Sequence, residues 1–320
     1  MLDLLIVGGG PAGLTAGLYA VRAGLDTLLL ERKFSGGQAS TANLIENYPG
    51  FDSGVGGPEL AMAMEKQAVK AGLNIRYDTC SNLSLTGDIK RATLTADHGV
   101  EARAVILAMG AQPRKTGARG EEELRGHGVS WCATCDGFMM RGKRAVVIGG
   151  GNTAAEDALY LSNLCEHVTI IHRRDAMRAD HALVRKILDH KKITVLWDHV
   201  VTSFIGEKKL RAVEVAHTKT GERSELDAEG AFIAVGGHPD TAIAAGQVAT
   251  DLSGYIIAGE DTRTNLPLVY AAGDLRAKPL RQIVTASADG AIAATMAMQD
   301  LRFGESERNT ADYMTVDNHR

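Results

Sequence analysis

The sequence predicts an α/β protein of two Rossmann-like, three-layer ββα nucleotide-binding domains, one inserted into the other. Three observations carry this reading. An apolar run at residues 2–7 leads straight into the glycine turn Gly8-Gly9-Gly10-Pro11-Ala12-Gly13. A second apolar run at 145–148 leads into Gly149-Gly150-Gly151-Asn152-Thr153-Ala154. The two segments align without a gap at an offset of 141, Gly8 on Gly149, Tyr19 on Tyr160 and Glu31 on His172. A length of 320 residues suits two domains at about 150 residues each.

Composition narrows the classes. With 45% hydrophobic and 23% charged residues, wholesale disorder is excluded. A net charge of −4 without a long run of one sign argues against a nucleic-acid platform. No apolar stretch approaches the 18 or so residues of a membrane span. The N-terminus lacks a basic n-region and enters the glycine motif at once, so no signal peptide and a cytoplasmic location are expected.

In the first unit, residues 2–7 read as a buried parallel strand, 14–23 as a helix with small and apolar residues at helical spacing, and 27–30 as a second strand ending on Glu31. A lone G-x-G-x-x-G is weak, with about 0.4 chance matches expected in a chain this rich in glycine. Strand, turn, helix, strand and acid in that order make it strong. Gly8 permits the tight turn, Gly10 lets the backbone approach a pyrophosphate, and Gly13 lets helix pack on strand. The helix N-terminus, with Pro11 and Ala12 in the turn, offers free N–H groups to phosphates. Glu31 is placed to accept from ribose hydroxyls, which suits FAD; the plain alternative is a glycine-rich turn without ligand.

The second unit repeats the pattern, with a strand at 145–148, a helix at 154–164 and a strand at 168–171. Gly149, Gly151, Asn152 and Thr153 form the matching cradle. Where the first unit has Glu31, the second has His172-Arg173-Arg174, with Arg178 four residues after Arg174. A carboxylate there would repel a 2′-phosphate, whereas guanidinium groups grip one. The second site should therefore take NADPH rather than NADH, unless the cluster is only a solvated basic face.

Four cysteines are too few for a disulfide scaffold. Two of them form Cys132-Ala133-Thr134-Cys135, a spacing expected by chance in roughly 0.05 of such chains. Zinc would need a second ligand pair, and neither Cys80 nor Cys165 has a partner at ligand spacing. A redox dithiol is the leading reading, with zinc and two idle core cysteines as alternatives, and no metal is expected. Cys80 and Cys165 read as small buried hydrophobes. Nicotinamide, flavin and dithiol together make an electron path to an external disulfide. Asp136 is placed to protonate the leaving thiolate, or else serves as a cap or turn residue.

These residues resemble the low-molecular-weight, bacterial-type thioredoxin reductases, a class of NADPH-dependent pyridine nucleotide-disulfide oxidoreductase. The resemblance covers residues 1 to about 303. It is carried by the two glycine fingerprints, Gly36-Gly37-Gln38, Glu46-Asn47-Tyr48-Pro49-Gly50, Cys132-Ala133-Thr134-Cys135-Asp136-Gly137, His172-Arg173-Arg174, Ala271-Ala272-Gly273-Asp274 and Arg281-Gln282. It implies that Gly273 and Asp274 lie at the flavin ribityl chain and pyrophosphate. Arg281, Gln282 and Ile283 would lie by the isoalloxazine at the head of a helix from 283 to about 300, with Gly37, Gln38 and Asn47 as further flavin contacts. It also implies that Cys135 faces the flavin, that Cys132 attacks thioredoxin, and that the enzyme is a homodimer. In such enzymes the NADPH domain rotates so that nicotinamide and dithiol face the flavin alternately.

Rotation requires hinges, and Gly110-Ala111-Gln112-Pro113 and Val235-Gly236-Gly237-His238-Pro239 are marked for them, short return loops being the alternative. The expected organisation is therefore FAD domain 1–114, NADPH domain 115–240, FAD domain 241–303 and a flexible tail 304–320. Four departures from the family pattern stand out. Met109 replaces a usual Thr, Gly237 and Asp240 replace residues more often His and Asn, and the glycine-rich loop 53–57 suggests mobility. The leading function is reduction of thioredoxin. Alternatives are the same mechanism with a glutaredoxin-like or peroxiredoxin-system partner, and a flavin redox sensor that does not turn over. The basic cluster argues against ferredoxin-driven relatives.

Overall fold

The computed structural model describes residues 1–42, 44–96 and 99–315, with side chains to residue 303. The chain divides into two compact units, Met1–Gln112 with the chain from His238 onward, and Pro113–Gly237. The expected boundaries after 114 and 240 lie two or three residues beyond these.

In the first unit, β1 (Leu2–Val7), α1 (Pro11–Arg22), β2 (Thr27–Glu31), α2 (Gly57–Lys70) and β3 (Asn74–Tyr77) are followed by β4 (Cys80–Ser84), β5 (Lys90–Leu94) and β6 (Val100–Leu107). The sheet runs β3-β2-β1-β6, all parallel, and β5 and β4 continue it antiparallel from the start of β6. The unbroken apolar run of β1 follows from burial on both faces. Leu4 and Ile6 point to one side, with Leu29, Ile106 and helix residues Leu14, Ala16 and Ala20. Leu5 and Val7 point to the other, with Leu30, Leu83, Leu107 and Ile256. Fully burying each such side chain stabilises the fold by about 1.5–3 kcal/mol.

A short β7 (Ala111–Pro113) leads into the second unit, which begins with β8 (Val129–Ser130), α3 (Ala133–Asp136), β9 (Arg144–Gly149), α4 (Asn152–Ser162) and β10 (His167–Ile171). It continues with α5 (His181–Leu188), β11 (Ile193–Leu196), β12 (His199–Ile205), β13 (Ala212–His217), β14 (Arg223–Asp227) and β15 (Gly230–Ala234). A parallel sheet of order β11-β10-β9-β15-β8 is covered on one face by α4, where Ala154, Ala158 and Leu161 meet Val147 and Ile170. The antiparallel sheet β12-β13-β14 covers the other, where Val201, Phe204 and Val213 meet Val146, Ile171 and Ile233. These are the three layers the sequence predicts.

The chain returns through β16 (Gly237–Pro239), which pairs with β7, then β17 (Val269–Ala271), parallel to β6, and α6 (Ile283–Thr315). Helix α6 lies on α1 through small residues: a Cβ at Gly290 would stand 2.1 Å from the Ala12 carbonyl oxygen. The helix also corrects an expectation. The sequence pattern ends it near residue 300, whereas it continues to Thr315. A packed helix extends without a new nucleation step, Gly304 costs only about 1 kcal/mol, and Glu305, Glu307, Arg308 and Ala311 are favourable or tolerated helix residues without an intervening proline. The last five residues of the expected tail lie outside the described residues.

The departures have local partners. Met109 packs half-buried against the cluster around Leu5 and Val7. Asp240 forms an ion pair with Arg32 at 3.1 Å. The glycine-rich loop is closed by paired main-chain bonds between Ile45 and Val55, at 2.8 and 3.0 Å, with Val55 buried.

Candidate functional site

The first glycine turn is fixed by close approach. Gly8 has φ +108°, and a Cβ there would lie 2.4 Å from the Ala108 carbonyl oxygen; at Gly13 it would lie 1.8 Å from the Gly8 carbonyl oxygen. Gly10 caps α1 without a side-chain hydrogen bond, and no heavy atom lies within 4 Å of where its Cβ would be. The start of α1 thus has no side-chain cap, and the space beside Gly10 is left clear for a phosphate. Glu31, ending β2, accepts hydrogen bonds from the N–H of Gly9 at 2.8 Å and of Lys33 at 2.9 Å. Its carboxylate is held against the turn. The chain that follows β2 lines a cleft of about 390 Å³, with Lys33, Phe34, Ser35, Met62, Glu65 and Tyr77 among its walls.

The other flavin candidates gather from distant segments of the same unit. Gly37 approaches Gly10, and Gln38 donates from Nε2 to the Ala111 carbonyl. Asn47 donates to Gln282 Oε1 at 3.0 Å across 235 residues of sequence. Ile283 packs beside Ile45, Val55 and Leu60. Arg281 lies 3.9 Å from the ring centre of Tyr255 and donates to the carbonyls of Asp274 and Arg276. Gly273, at φ +86°, donates its N–H to Asp289. Asp274 Oδ1 is buried with no hydrogen-bond partner among the described residues. Burial pushes the Asp274 carboxyl above its ordinary range, against the pull of Lys278 and Arg281. An orphaned acceptor, a capless helix start and an acid at the end of β2 fit a flavin dinucleotide, whose hydroxyls and phosphates would satisfy them.

The second turn repeats this geometry. A Cβ at Gly149 would lie 2.3 Å from the Ala234 carbonyl oxygen, and Gly151 caps α4 with open space before it. Thr153 is exposed. Asn152 is tied to Asp180, its Nδ2 donating to Oδ2 at 2.9 Å and its Oδ1 accepting from the backbone at 2.8 Å. His172 differs from Glu31 in more than charge. Its ring is buried over Gly150, Nε2 lies 3.0 Å from the Ala176 carbonyl, and burial lowers its pKa. It shapes the loop, whereas Arg173, Arg174 and Arg178 are exposed. The loop they ride on is pinned: Arg178 donates its N–H to Gly150 at 2.7 Å, and Arg174 accepts from Asp198 at 3.2 Å. Asp198, at φ +56°, is held in turn by Lys219 at 3.0 Å.

Cys132 and Cys135 form a disulfide across the single turn of α3, with Cα atoms 5.3 Å apart. The Cys132 N–H donates to Ser130 Oγ at 3.0 Å, and the Asp136 N–H to the Cys132 carbonyl at 3.2 Å. Burial raises the Asp136 carboxyl above its ordinary value, and a hydrogen bond from the Ser130 hydroxyl partly opposes this. Ala133 packs into the cluster with α4, and Phe138 and Met139, in the turn that follows α3, are exposed. The thiols of Cys80 and Cys165 are pushed up by burial to about 11, which keeps them protonated and unreactive. Asp198 and Asp289 escape a reading of the sequence, because their partners lie in distant segments. Among the described residues no cluster of three or more His, Cys, Asp or Glu could hold a metal, and no helix is long and apolar enough to cross a membrane.

Residues 2–290 match the family described as pyridine nucleotide-disulphide oxidoreductase. The chain is 44% identical over 298 residues to a thioredoxin reductase of Listeria innocua, covering 93% of each chain. It is 43% identical over 293 residues to one of Mycolicibacterium smegmatis, covering 91% of this chain and 94% of the other. The solved thioredoxin reductase of Streptococcus pyogenes superposes with a TM-score of 0.90 at 40% identity, covering 94% of this chain and 98% of that one.

Proposed function

Because the chain belongs to the pyridine nucleotide-disulphide oxidoreductase family, beside its thioredoxin reductases, we propose that it reduces oxidised thioredoxin with electrons from NADPH. The observation that carries this is the Cys132–Cys135 disulfide across the turn of α3, with a carboxyl of raised pKa at the next residue.

Gly8, Gly10, Pro11, Ala12, Gly13 and Glu31 hold the pyrophosphate and ribose of FAD, with the cleft at the end of β2 taking its adenine end. Gly37, Gln38, Asn47, Gly273, Asp274, Arg281, Gln282 and Ile283 frame its other half. Gly149, Gly151, Asn152 and Thr153 hold the pyrophosphate of NADPH, and Arg173, Arg174 and Arg178 grip its 2′-phosphate. Bound together, these cofactors supply the two electrons that open the disulfide.

The chain's own groups do the rest. A Cys132 thiolate attacks one sulfur of the thioredoxin disulfide, forming a mixed disulfide and expelling the other sulfur as a thiolate. Asp136 supplies a proton for that leaving group. Cys135 then attacks Cys132 Sγ, restoring the Cys132–Cys135 disulfide and releasing reduced thioredoxin. Phe138 and Met139, in the turn that follows α3, offer apolar surface to the partner. On the same reading the second unit rotates about β7 and β16 so that nicotinamide and dithiol reach the flavin in turn, and the enzyme works as a cytoplasmic homodimer.

The test is Cys135→Ser. Flavin reduction by NADPH is expected to persist while thioredoxin reduction is abolished. Continued turnover of thioredoxin would remove the dithiol from the path.

A further inference from the structure

Arg276 and Lys278, in the loop between β17 and α6, gather around a buried carboxylate. Asp289, on α6, is almost fully buried. Its Oδ2 accepts from the Gly273 N–H and from Lys278 Nζ, each at 2.9 Å, and its Oδ1 lies 3.3 Å from Arg276 Nη2. Lys278, with a side chain only 5% exposed, has a second anion within range. Its Nζ stands 3.9 Å from Asp274 Oδ1, about an ångström too far for a hydrogen bond, and that oxygen has no partner among the described residues. One buried ammonium thus sits between two carboxylates and bonds to only one.

We propose that Asp289 is a positioning residue that draws Lys278 away from Asp274, leaving the Asp274 carboxylate free to accept a hydrogen bond from a ligand hydroxyl. The proposal rests on the reading that this unit binds FAD, whose ribityl hydroxyls are the donors of that chemistry. A buried ammonium is driven to whichever anion remains. Without the charge at Asp289, Lys278 needs to move only about an ångström to close on Asp274 Oδ1. The Asp274 side chain, 33% exposed, would then be drawn toward Lys278 and turned from the ligand. Lys278 is therefore dispensable for binding, and harmful once Asp289 is gone.

The test is titration of the flavin-stripped full chain with FAD, followed by quenching of flavin fluorescence, with circular dichroism to confirm folding. Asp289→Asn should weaken FAD binding by about tenfold or more. Lys278→Gln alone should bind within about threefold of the parent chain. Lys278→Gln combined with Asp289→Asn should recover most of the loss, a rescue that a purely structural role for Asp289 does not give. Unchanged binding by Asp289→Asn, or a double variant as weak as Asp289→Asn, would overturn the proposal. Should Asp289→Asn not fold, the double variant decides: binding near the parent level supports the proposal and lost binding overturns it. Failure of the parent chain itself to bind FAD would instead overturn the flavin reading beneath it.

Discussion

Replacing Arg173 and Arg174 together with Ala should remove most of the preference for the 2′-phosphate, leaving only Arg178 to grip it. Both guanidinium groups are exposed, on a loop fixed by the Arg178–Gly150 and Asp198–Arg174 main-chain bonds. The loop is therefore organised before ligand arrives, and little ordering entropy offsets the contacts. A hydrogen bond to a charged group contributes about 1.5–3 kcal/mol, and exposure to water selects the lower end. Two such contacts amount to about 3 kcal/mol, or roughly a hundredfold in affinity at about 1.4 kcal/mol per decade. Steady-state assays with thioredoxin in excess should show KM for NADPH rising by about that factor, with KM for NADH changing less than about threefold. Salt should raise KM for NADPH in the parent enzyme and much less in the variant, since an exposed ionic contact is screened. Equal losses with both cofactors would refute the assignment of these arginines to the 2′-phosphate.

Other consequences follow from named contacts. Asp136→Asn should slow thioredoxin turnover by about a hundredfold or more while leaving flavin bleaching by NADPH intact. In the parent enzyme, thioredoxin turnover should fall as pH rises through the raised Asp136 pKa, and the variant should lack that alkaline limb. Burial raises this carboxyl in the folded chain, so its contribution to stability is present at low pH and is lost as pH rises through the folded value. Gly8→Ala forces a Cβ to 2.4 Å from the Ala108 carbonyl at φ +108°, so the ratio of bound flavin to protein should collapse. Tyr270→Phe removes the hydroxyl that donates to Asp300 Oδ2 at 2.6 Å, and the urea midpoint should fall by the equivalent of about 1–3 kcal/mol with the slope unchanged.

The parts legible in the sequence were those written in local pattern. A strand, a glycine turn, a helix and the end of the next strand lie within about thirty positions, so β1, α1 and Glu31, and β9, α4 and His172 just past β10, are legible in the spacing. The gapless offset carried the second unit along with the first. Site residues held by distant partners were out of reach. Asp289 matters because it meets Gly273, Arg276 and Lys278, and Asp198 because its N–H reaches Arg174. The buried ring of His172 over Gly150 depends on side-chain packing that alignment with Glu31 does not encode. The length of α6 was missed because polar residues beyond 303 show no apolar period, while helix propagation needs none once the preceding turns are packed.

Stopped-flow absorbance of the purified protein, mixed with NADPH and then with oxidised thioredoxin, tests the electron path most directly. Bleaching of the flavin band by NADPH, followed by its recovery as thioredoxin becomes reduced, is the expected result. Bleaching that thioredoxin does not reverse would contradict thioredoxin as the partner, and absence of a flavin band would contradict the electron path itself.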